Sequence, residues 1–189
     1  VNKVLTKKIL ELTPEIPIVS EETSHNKSKN DLKDFWLIDP IDGTTPFIHG
    51  RDNWGNIIAL QENGTTVLGL IHVPILGELF TGYRGGGVFC NDSPIKLREN
   101  KNMNDAILCS NTVRRGVEVD GVLMIPSPQC GSLENYGSAA QEFTEILKGC
   151  NDGCFFKGIR LWDIAAGCFM VEEAGGKSWY DFLEEGNVR

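Results

Sequence analysis

The apolar positions near the start of the chain change from a helical to a strand periodicity. Apolar residues recur at helical spacing over residues 1–12, which predicts a helix that Pro14 ends. Residues 16–19 form a short extended segment. The apolar run 35–38 then predicts a buried strand that ends at Asp39, after which the chain must turn.

Two longer apolar runs follow, over residues 57–60 and 67–71. They flank Asn63 and Gly64, and this dipeptide between apolar segments strongly favours a β-hairpin. Both runs are apolar at successive positions, so each face of the sheet should be covered by another layer. A further strand is predicted over residues 79–83.

The second half of the chain predicts one strand and two helices. The strand covers residues 106–109, and the helices cover 137–147 and 163–174, each followed by glycine. Residues 110–136 show no clear periodicity. The whole pattern predicts a mixed α/β layered protein, with residues 1–189 forming a single domain.

Composition and charge narrow the function classes. The 189 residues carry 18 Lys and Arg against 26 Asp and Glu, a net charge of −8, which argues against nucleic acid as a partner. An anionic substrate would then need a local cation. No apolar run is long enough for a membrane span, and six unpaired, buried cysteines fit a cytoplasmic protein. The first residue is Val1, so the chain is expected to be a fragment.

The segment from Asp39 to Thr44 carries the chemistry. Asp39 and Asp42 lie three residues apart around a turn, where their carboxylates and the carbonyl of Ile41 can converge as hard oxygen ligands for Mg²⁺. Gly43 allows close backbone approach, and a helix beginning at Thr44 would offer free N–H groups to an anion. The alternative is an Asx turn that caps a short helix.

Other carboxylates extend this hypothesis. Glu21 and Glu22 follow a short extended segment, and Glu21 lies 18 residues before Asp39. Asp163 stands where a strand meets a helix. Taken alone, the glutamates indicate a solvated pair and Asp163 an N-cap. If these groups share one cleft, they repel one another unless cations neutralise them. Their co-location would therefore itself indicate a metal site.

Four segments together resemble the inositol monophosphatase superfamily. They are Ser20-Glu21-Glu22, the sequence DPIDGT over residues 39–44, WDIAAG over residues 162–167, and EAGG over residues 173–176. The resemblance covers nearly the whole chain. It implies a layered αβαβα sandwich of the inositol monophosphatase and fructose-1,6-bisphosphatase type, truncated at both ends. Residues 1–100 would form the metal- and phosphate-binding half and residues 101–189 the second α/β half.

The resemblance also implies an activity and a set of site residues. The activity is lithium-sensitive, Mg²⁺-dependent hydrolysis of a small phosphorylated metabolite, with two or three Mg²⁺ per site. The implied metal ligands are Glu21, Asp39, the carbonyl of Ile41, Asp42 and Asp163. The implied catalytic residues are Glu21, Asp42 and Thr44, with Thr44 orienting the attacking water. The implied substrate contacts are Asp42, Gly43, Thr44, Gly137, Ser138, Ala139 and Asp163.

Departures from the family pattern leave the substrate open. The Asp of the family's VTxxD segment, which helps to activate water, would lie ahead of Val1. Phe156 stands where inositol phosphatases carry a sugar-binding Glu, with Lys157 and Arg160 nearby. The open alternatives are a histidinol-phosphate phosphatase, a 3′-phosphoadenosine 5′-phosphate phosphatase, and a catalytically weak regulator that binds metal and phosphate. The family also implies a homodimer.

Overall fold

The computed structural model describes residues 1–26, 33–100, 102–111, 117–119, 122–124, 130–181 and 187–188. The helices in these ranges are α1 (Asn2–Leu12), α2 (Thr44–Ile48), α3 (Ala139–Leu147) and α4 (Leu161–Glu173). The strands are β1 (Ile18–Ser20), β2 (Phe35–Asp42), β3 (Gly55–Glu62), β4 (Thr65–Val73), β5 (Glu78–Tyr83), β6 (Gly87–Cys90), β7 (Ser93–Pro94), β8 (Ile107–Ser110), β9 (Val117–Val119), β10 (Val122–Met124), β11 (Ser132–Glu134), β12 (Gly153–Phe155), β13 (Ile159–Arg160) and β14 (Asn187–Val188).

The first seven strands form one sheet in sequence order. β1 is parallel to β2, and each later neighbour is antiparallel. The predicted hairpin joins β3 to β4, with Asn63 at φ 50° and Gly64 at φ 76°. Two successive left-handed residues are what a two-residue turn needs to match the twist of its strands, so this prediction is confirmed.

A second, three-stranded sheet has the order β11–β8–β12, with both pairs parallel. Two short antiparallel ribbons, β9–β10 and β13–β14, complete the described strands. The segment 110–136 therefore contains short strands, while residues 112–116, 120–121 and 125–129 lie outside the described ranges.

Both faces of the large sheet are covered, as the sequence predicts. Along β2, Phe35 and Leu37 join the main core with α3 and α4, whereas Ile38 packs with Ile9 of α1 on the opposite face. The half-buried Cys154 of β12 packs against the main core from the second sheet. The described layers thus follow as α1, the large sheet, the α3–α4 pair and the small sheet, which confirms the layered α/β class.

The buried face of α1 differs from its apolar stripe. Asn2 and Ile9 are buried, while Val4 and Leu12 are exposed. Asn2 explains the orientation, because its side chain accepts a hydrogen bond from the Ser20 hydroxyl at 3.0 Å and donates one to the Glu22 carboxylate at 2.9 Å. Asn2, which is hydrogen-bonded to the end of β1, is thus buried on the face of α1 where the periodicity predicts only apolar side chains.

Three boundaries also differ from prediction. β2 continues through an irregularity to Asp42 instead of ending at Asp39, and α4 begins at Leu161 rather than at Asp163. The loop predicted over residues 23–34 begins inside a 3₁₀ helix, Glu21–Asn26, while residues 27–32 lie outside the described ranges. Among the described residues, no helix combines the length and apolar character needed to cross a membrane.

The six cysteines are unpaired, as expected, but they are not uniformly buried. Only Cys109 is fully buried, and Cys150 is exposed. Cys150 lies just beyond the end of α3, where the chain turns back toward β12. The expectation of six buried thiols is therefore wrong, because apolar neighbours in sequence do not determine how deeply a loop residue lies.

The contact between α3 and α4 gives a test of the packing. A Cβ atom at Gly167 would lie 2.2 Å from the ring of Phe143, which is itself buried. We expect Gly167→Ala to lower the free energy of unfolding by about 1–2 kcal/mol, because overpacking costs more than the helix propensity gained. Urea denaturation measures the change.

The matched control is Gly153→Ala in β12, where an added Cβ would meet only the Leu108 side chain at an ordinary 3.5 Å. This variant should change the free energy of unfolding by about 0.5 kcal/mol or less. Equal effects for the two alanine variants would contradict the close α3–α4 packing.

Candidate metal centre

The candidate centre begins with a β-bulge in β2. The ladder between β2 and β3 shifts register between Asp39 and Asp42. Two residues of β2, Pro40 and Ile41, there face one residue of β3, Asn56. An extra residue of this kind leaves one position unpaired and changes which way the following side chains point.

The bulge explains how two aspartates three residues apart can share one face of the sheet. In a regular strand, residues 39 and 42 would point to opposite faces, because side chains alternate. The extra residue restores the phase, and both side chains are buried, with Asp39 3% exposed and Asp42 9% exposed. The tight turn in the sequence-based prediction is in fact this bulge.

Asp163 joins them from the start of α4. It is the third residue of the helix, and its Oδ2 accepts a hydrogen bond from the backbone N–H of Arg160 at 3.1 Å. The interpretation of Asp163 as an N-cap is therefore wrong by three positions, since Arg160 occupies the N-cap. Asp39, Asp42 and Asp163 each offer one oxygen, and these oxygens lie within 4.8 Å of one another.

Helix α3 holds Asp42 in place. Asp42 Oδ2 accepts a hydrogen bond from the Ser138 hydroxyl at 2.5 Å and another from the backbone N–H of Ala140 at 2.7 Å. Ser138 is the N-cap of α3 and also accepts from the N–H of Gln141 at 3.3 Å. The Asp42 carboxylate thus occupies a helix N-terminus, where backbone N–H groups and the helix dipole favour an anion.

Ala140 is a site residue that the sequence analysis missed. A backbone N–H carries no side-chain signature, although an N-cap Ser138 at a helix start indicates first-turn donors without intrahelical partners. Of the neighbouring predicted substrate contacts, Ala139 is buried and Gly137 has a left-handed φ of 75° before the helix.

Gly43 packs against the start of α3. Its φ is +81°, and an added Cβ would lie 2.9 Å from Ser138 Cβ and 3.0 Å from the carbonyl oxygen of Asn53. Both the conformation and the space therefore require glycine. This contact seats the first turn of α2 beside the carboxylates.

The backbone of the bulge is organised by two local hydrogen bonds. The N–H of Ile41 donates to Asp39 Oδ1 at 3.0 Å, and the hydroxyl of Thr44 donates to the Ile41 carbonyl at 3.2 Å. The first is the Asx-type contact that the sequence offered as an alternative reading. Here it coexists with the carboxylate cluster rather than replacing it.

Glu21 and Glu22 have different surroundings. Glu21 follows directly after β1, which pairs in parallel with β2, and its side chain is exposed. Its negative charge helps to raise the pKa of Asp39, Asp42 and Asp163. Glu22 instead binds Asn2 of α1. The structure thus brings Glu21 near the centre and turns Glu22 toward the helix.

Burial and mutual repulsion make the ionised cluster costly. Burial, followed by the charges of Asp42 and Asp163, raises the pKa of Asp39 to about 10. Burial and the charge of Asp42 raise the pKa of Asp163 to about 7. Burial also raises the pKa of Asp42, against the hydrogen bonds from Ser138 and Ala140. Ionisation of these three carboxyl groups is therefore less favourable than usual unless a cation binds between them.

The donor set fits a hard divalent cation. Mg²⁺ prefers carboxylate and carbonyl oxygens as ligands. Three converging carboxylates repel one another, and a divalent cation bound between them offsets that repulsion. The described part of this cluster contains neither a histidine nor a thiol. The chemistry of the donors thus agrees with the Mg²⁺ that the sequence resemblance implies.

Glu142 is a second residue that the sequence analysis missed. It lies fully buried in α3, and burial, followed by the charge of Cys109, raises its pKa to about 9. Its Oε2 has no hydrogen-bond partner among the described residues. The charge of Asp42 also raises the pKa of Glu142, so these two carboxyl groups interact electrostatically.

Phe156, Lys157 and Arg160, which the sequence analysis compared with the family's sugar-binding position, lie between β12 and the start of α4. Phe156 packs against the core, with its ring centroid 5.7 Å from that of Phe143. The guanidinium of Arg160 lies 5.9 Å from the ring centroid of Trp162, and Lys157 is exposed. Position 156 therefore contributes packing rather than a polar contact.

The sequence and the fold match known proteins of one family. The model of the Inositol monophosphatase family matches residues 1–180. "Inositol-1-monophosphatase" of Rhizobium meliloti (strain 1021) is 29% identical over 181 residues, which are 94% of this chain and 68% of that protein. "Nus factor SuhB" of Pasteurella multocida (strain Pm70) is 34% identical over 168 residues, 86% of this chain and 62% of that one.

A solved structure shows the same fold. The extragenic suppressor protein suhB from Bartonella henselae superposes with a TM-score of 0.80 at 28% identity, over 99% of this chain and 78% of that chain. This chain spans about two thirds of the length of the curated relatives it matches. From its sequence and its fold, the chain belongs to the inositol monophosphatase family.

Proposed function

We propose that the protein is a Mg²⁺-dependent phosphomonoesterase that acts on a small phosphorylated metabolite. One observation carries the proposal. Carboxylate oxygens from β2 and α4 lie within 4.8 Å of one another in a largely buried cluster, an arrangement that favours binding a divalent cation. Family membership supports phosphate ester hydrolysis as the use of that cation.

The resemblance assigns the ligands of two or three ions. Glu21, Asp39 and the carbonyl of Ile41 would hold the first ion, and Asp39, Asp42 and Asp163 would hold the second. When bound, such ions lower the pKa of water and neutralise the charge on phosphate oxygens. Glu21 is exposed, so it would bind its ion from the solvent side of the buried carboxylates.

The protein's own groups would orient the reactants. The hydroxyl of Thr44 donates a hydrogen bond to the Ile41 carbonyl. The lone pairs of the Thr44 oxygen are therefore available to accept a hydrogen bond from an attacking water. The first N–H groups of α2, beginning at Gly43 and Thr44, have no intrahelical acceptor and suit phosphate oxygens. Ser138 and Ala140 fix Asp42 throughout.

The organic part of the substrate would lie toward residues 137–139. This segment packs beside Gly43, and the side chain of Asn53 donates a hydrogen bond to the carbonyl of Tyr136 next to it. The packed, apolar Phe156 argues against a hydroxyl-rich inositol ring. Histidinol phosphate and 3′-phosphoadenosine 5′-phosphate therefore remain the specific candidates, alongside inositol monophosphates and fructose 1,6-bisphosphate as reference substrates.

A second candidate function is that of a regulator which binds metal and phosphate but turns over poorly. The name "Nus factor SuhB" of the Pasteurella multocida relative favours it. The two candidates differ in one measurable respect. In a phosphate-release assay over the four substrates, with Mg²⁺ and with EDTA, the enzyme should show rapid Mg²⁺-dependent turnover of at least one substrate, and the regulator only slow turnover of all four.

The first prediction from the proposed function concerns Asp39. We expect Asp39→Asn to lower Mg²⁺-dependent phosphate release by more than about 100-fold, because even residues behind a metal ligand cost 10–100-fold. The metal-free variant should be at least as stable as the wild type, since one buried, repelled carboxyl group is removed. Phosphate release and thermal unfolding with EDTA measure the two effects.

The matched control is Asp92→Asn. Asp92 is an exposed turn residue with φ 65°, a conformation that asparagine also adopts readily. The Asp92→Asn variant should leave both phosphate release and thermal unfolding unchanged. Full phosphate release by the Asp39 variant would refute the assignment of the centre.

The second prediction concerns pH. In the metal-free protein the pKa of Asp39 is raised to about 10 and that of Asp163 to about 7, both from 3.8. The folded state therefore binds more protons than the unfolded state over this interval, so stability is greatest at low pH and falls as pH rises from about 4 toward 10. Thermal midpoints in EDTA, taken from pH 5 to pH 9, should decrease steadily.

Saturating Mg²⁺ should remove most of this decrease, because the cation stabilises the ionised carboxylates. A smaller decrease should persist between about pH 5 and pH 9 and level off above it, since the pKa of Glu142 is raised from 4.5 to about 9 and Glu142 is not one of the three ligands. A thermal midpoint that changes neither with pH nor with added Mg²⁺ would contradict the proposed centre.

A further inference from the structure

The bulge that aligns the two aspartates is held by a side chain from the neighbouring strand. The side-chain amide of Asn56 donates a hydrogen bond to the carbonyl of Pro40 at 2.6 Å. Asn56 is the single β3 residue that faces the two bulged residues of β2. Its amide thus reaches the place where the extra residue interrupts the regular ladder.

His72 of β4 orients that amide. His72 stands directly opposite Asn56 in the β3–β4 ladder, and its Nδ1 lies 3.3 Å from Asn56 Oδ1. The carbonyl of Pro40 can only accept, so the nitrogen end of the Asn56 amide must face it. The oxygen end then faces His72, whose Nδ1 is consequently the donor.

These contacts form a chain across three strands, from Pro40 through Asn56 to His72. The chain lies on the α1 side of the sheet, because Asn56 and His72 have the same alternation phase as Ile58 and Leu70. The three carboxylates lie on the opposite side, toward α4. Asn56 therefore supports the centre without approaching the space that a cation or a phosphate would occupy.

We propose that Asn56, oriented by His72, is a positioning residue that holds the bulge in the geometry required for Asp39 and Asp42 to share a divalent cation. The inference rests on the proposed function for its consequence on metal binding. Its structural part, the restraint of the bulge, is independent of any metal. The two parts are separable by experiment.

The test compares Asn56→Leu with Gln61→Leu. Gln61 lies in the same strand and donates through its side-chain amide to the Thr66 hydroxyl at 2.6 Å, but it is remote from the bulge in β2. Gln61 is buried, whereas Asn56 is half-buried, so the control variant removes the more deeply buried amide. Each variant thus loses one side-chain amide hydrogen bond of β3. Titration calorimetry with Mn²⁺ as the probe gives the metal affinity, and thermal unfolding reports any general loss of stability.

We expect Asn56→Leu to weaken Mn²⁺ binding by about 10-fold or more, the range found for groups that orient metal ligands, and Gln61→Leu to leave it within about twofold of the wild type. Hydrogen exchange of the Ile41 amide gives the metal-independent readout, because this N–H donates to Asp39 Oδ1 inside the bulge. It should exchange about 10-fold faster in Asn56→Leu only.

Each outcome has a definite meaning. Unchanged Ile41 exchange and unchanged Mn²⁺ affinity in Asn56→Leu would overturn the inference, as would equal effects from Gln61→Leu. A wild-type protein that binds no Mn²⁺ would overturn the proposed function, and Ile41 exchange would still decide whether Asn56 restrains the bulge. If Asn56→Leu does not fold, His72→Phe replaces it, with about threefold weaker Mn²⁺ binding and faster Ile41 exchange expected.

Discussion

Repulsion among closely spaced carboxyl groups away from water is the interaction on which this structure depends. Asp39, Asp42 and Asp163 are held together by the packing of helices against a sheet, although ionisation of all three is unfavourable. Asp42 receives two hydrogen bonds at the N-terminus of α3, from Ser138 and Ala140. Asp39 and Asp163 each accept one backbone N–H, from Ile41 and Arg160, so a bound cation would contribute most to stabilising their charges. Holding such groups in place before any ligand binds is what preorganises a cation site.

The elements that build this arrangement meet at close packing contacts. The register of the β-bulge sets the side of the sheet on which Asp42 emerges, and the contact of Gly43 with Ser138 fixes the distance from β2 to α3. The approach of α4 to α3 at Gly167 then fixes where Asp163 can lie. Fold stability and site geometry are therefore coupled, since a small displacement of either helix moves one carboxylate relative to the others.

Much of the fold follows from the sequence, because periodicity and turn chemistry are local. The hairpin at Asn63, the helix that starts after Ser138 and the covering of both sheet faces were all predicted correctly. Register is not local, so the bulge in β2 was mistaken for a turn. A backbone donor such as the N–H of Ala140 cannot be recognised from the sequence, because every residue except proline has one. The buried face of α1 was mispredicted because one hydrogen-bonded asparagine outweighed an apolar stripe.

Sharing of one divalent cation by carboxylates from β2 and α4 is the interaction that the proposed function requires. Crystals soaked in Mn²⁺ provide the most direct measurement, because the anomalous signal of manganese locates the ion without assumption. We expect a strong anomalous peak within coordination distance of the carboxylates of Asp39, Asp42 and Asp163. If a second ion binds beside it, Glu21 or the Ile41 carbonyl should contact that ion. A map with no peak between these side chains, or with manganese bound only elsewhere on the acidic surface, would contradict the account.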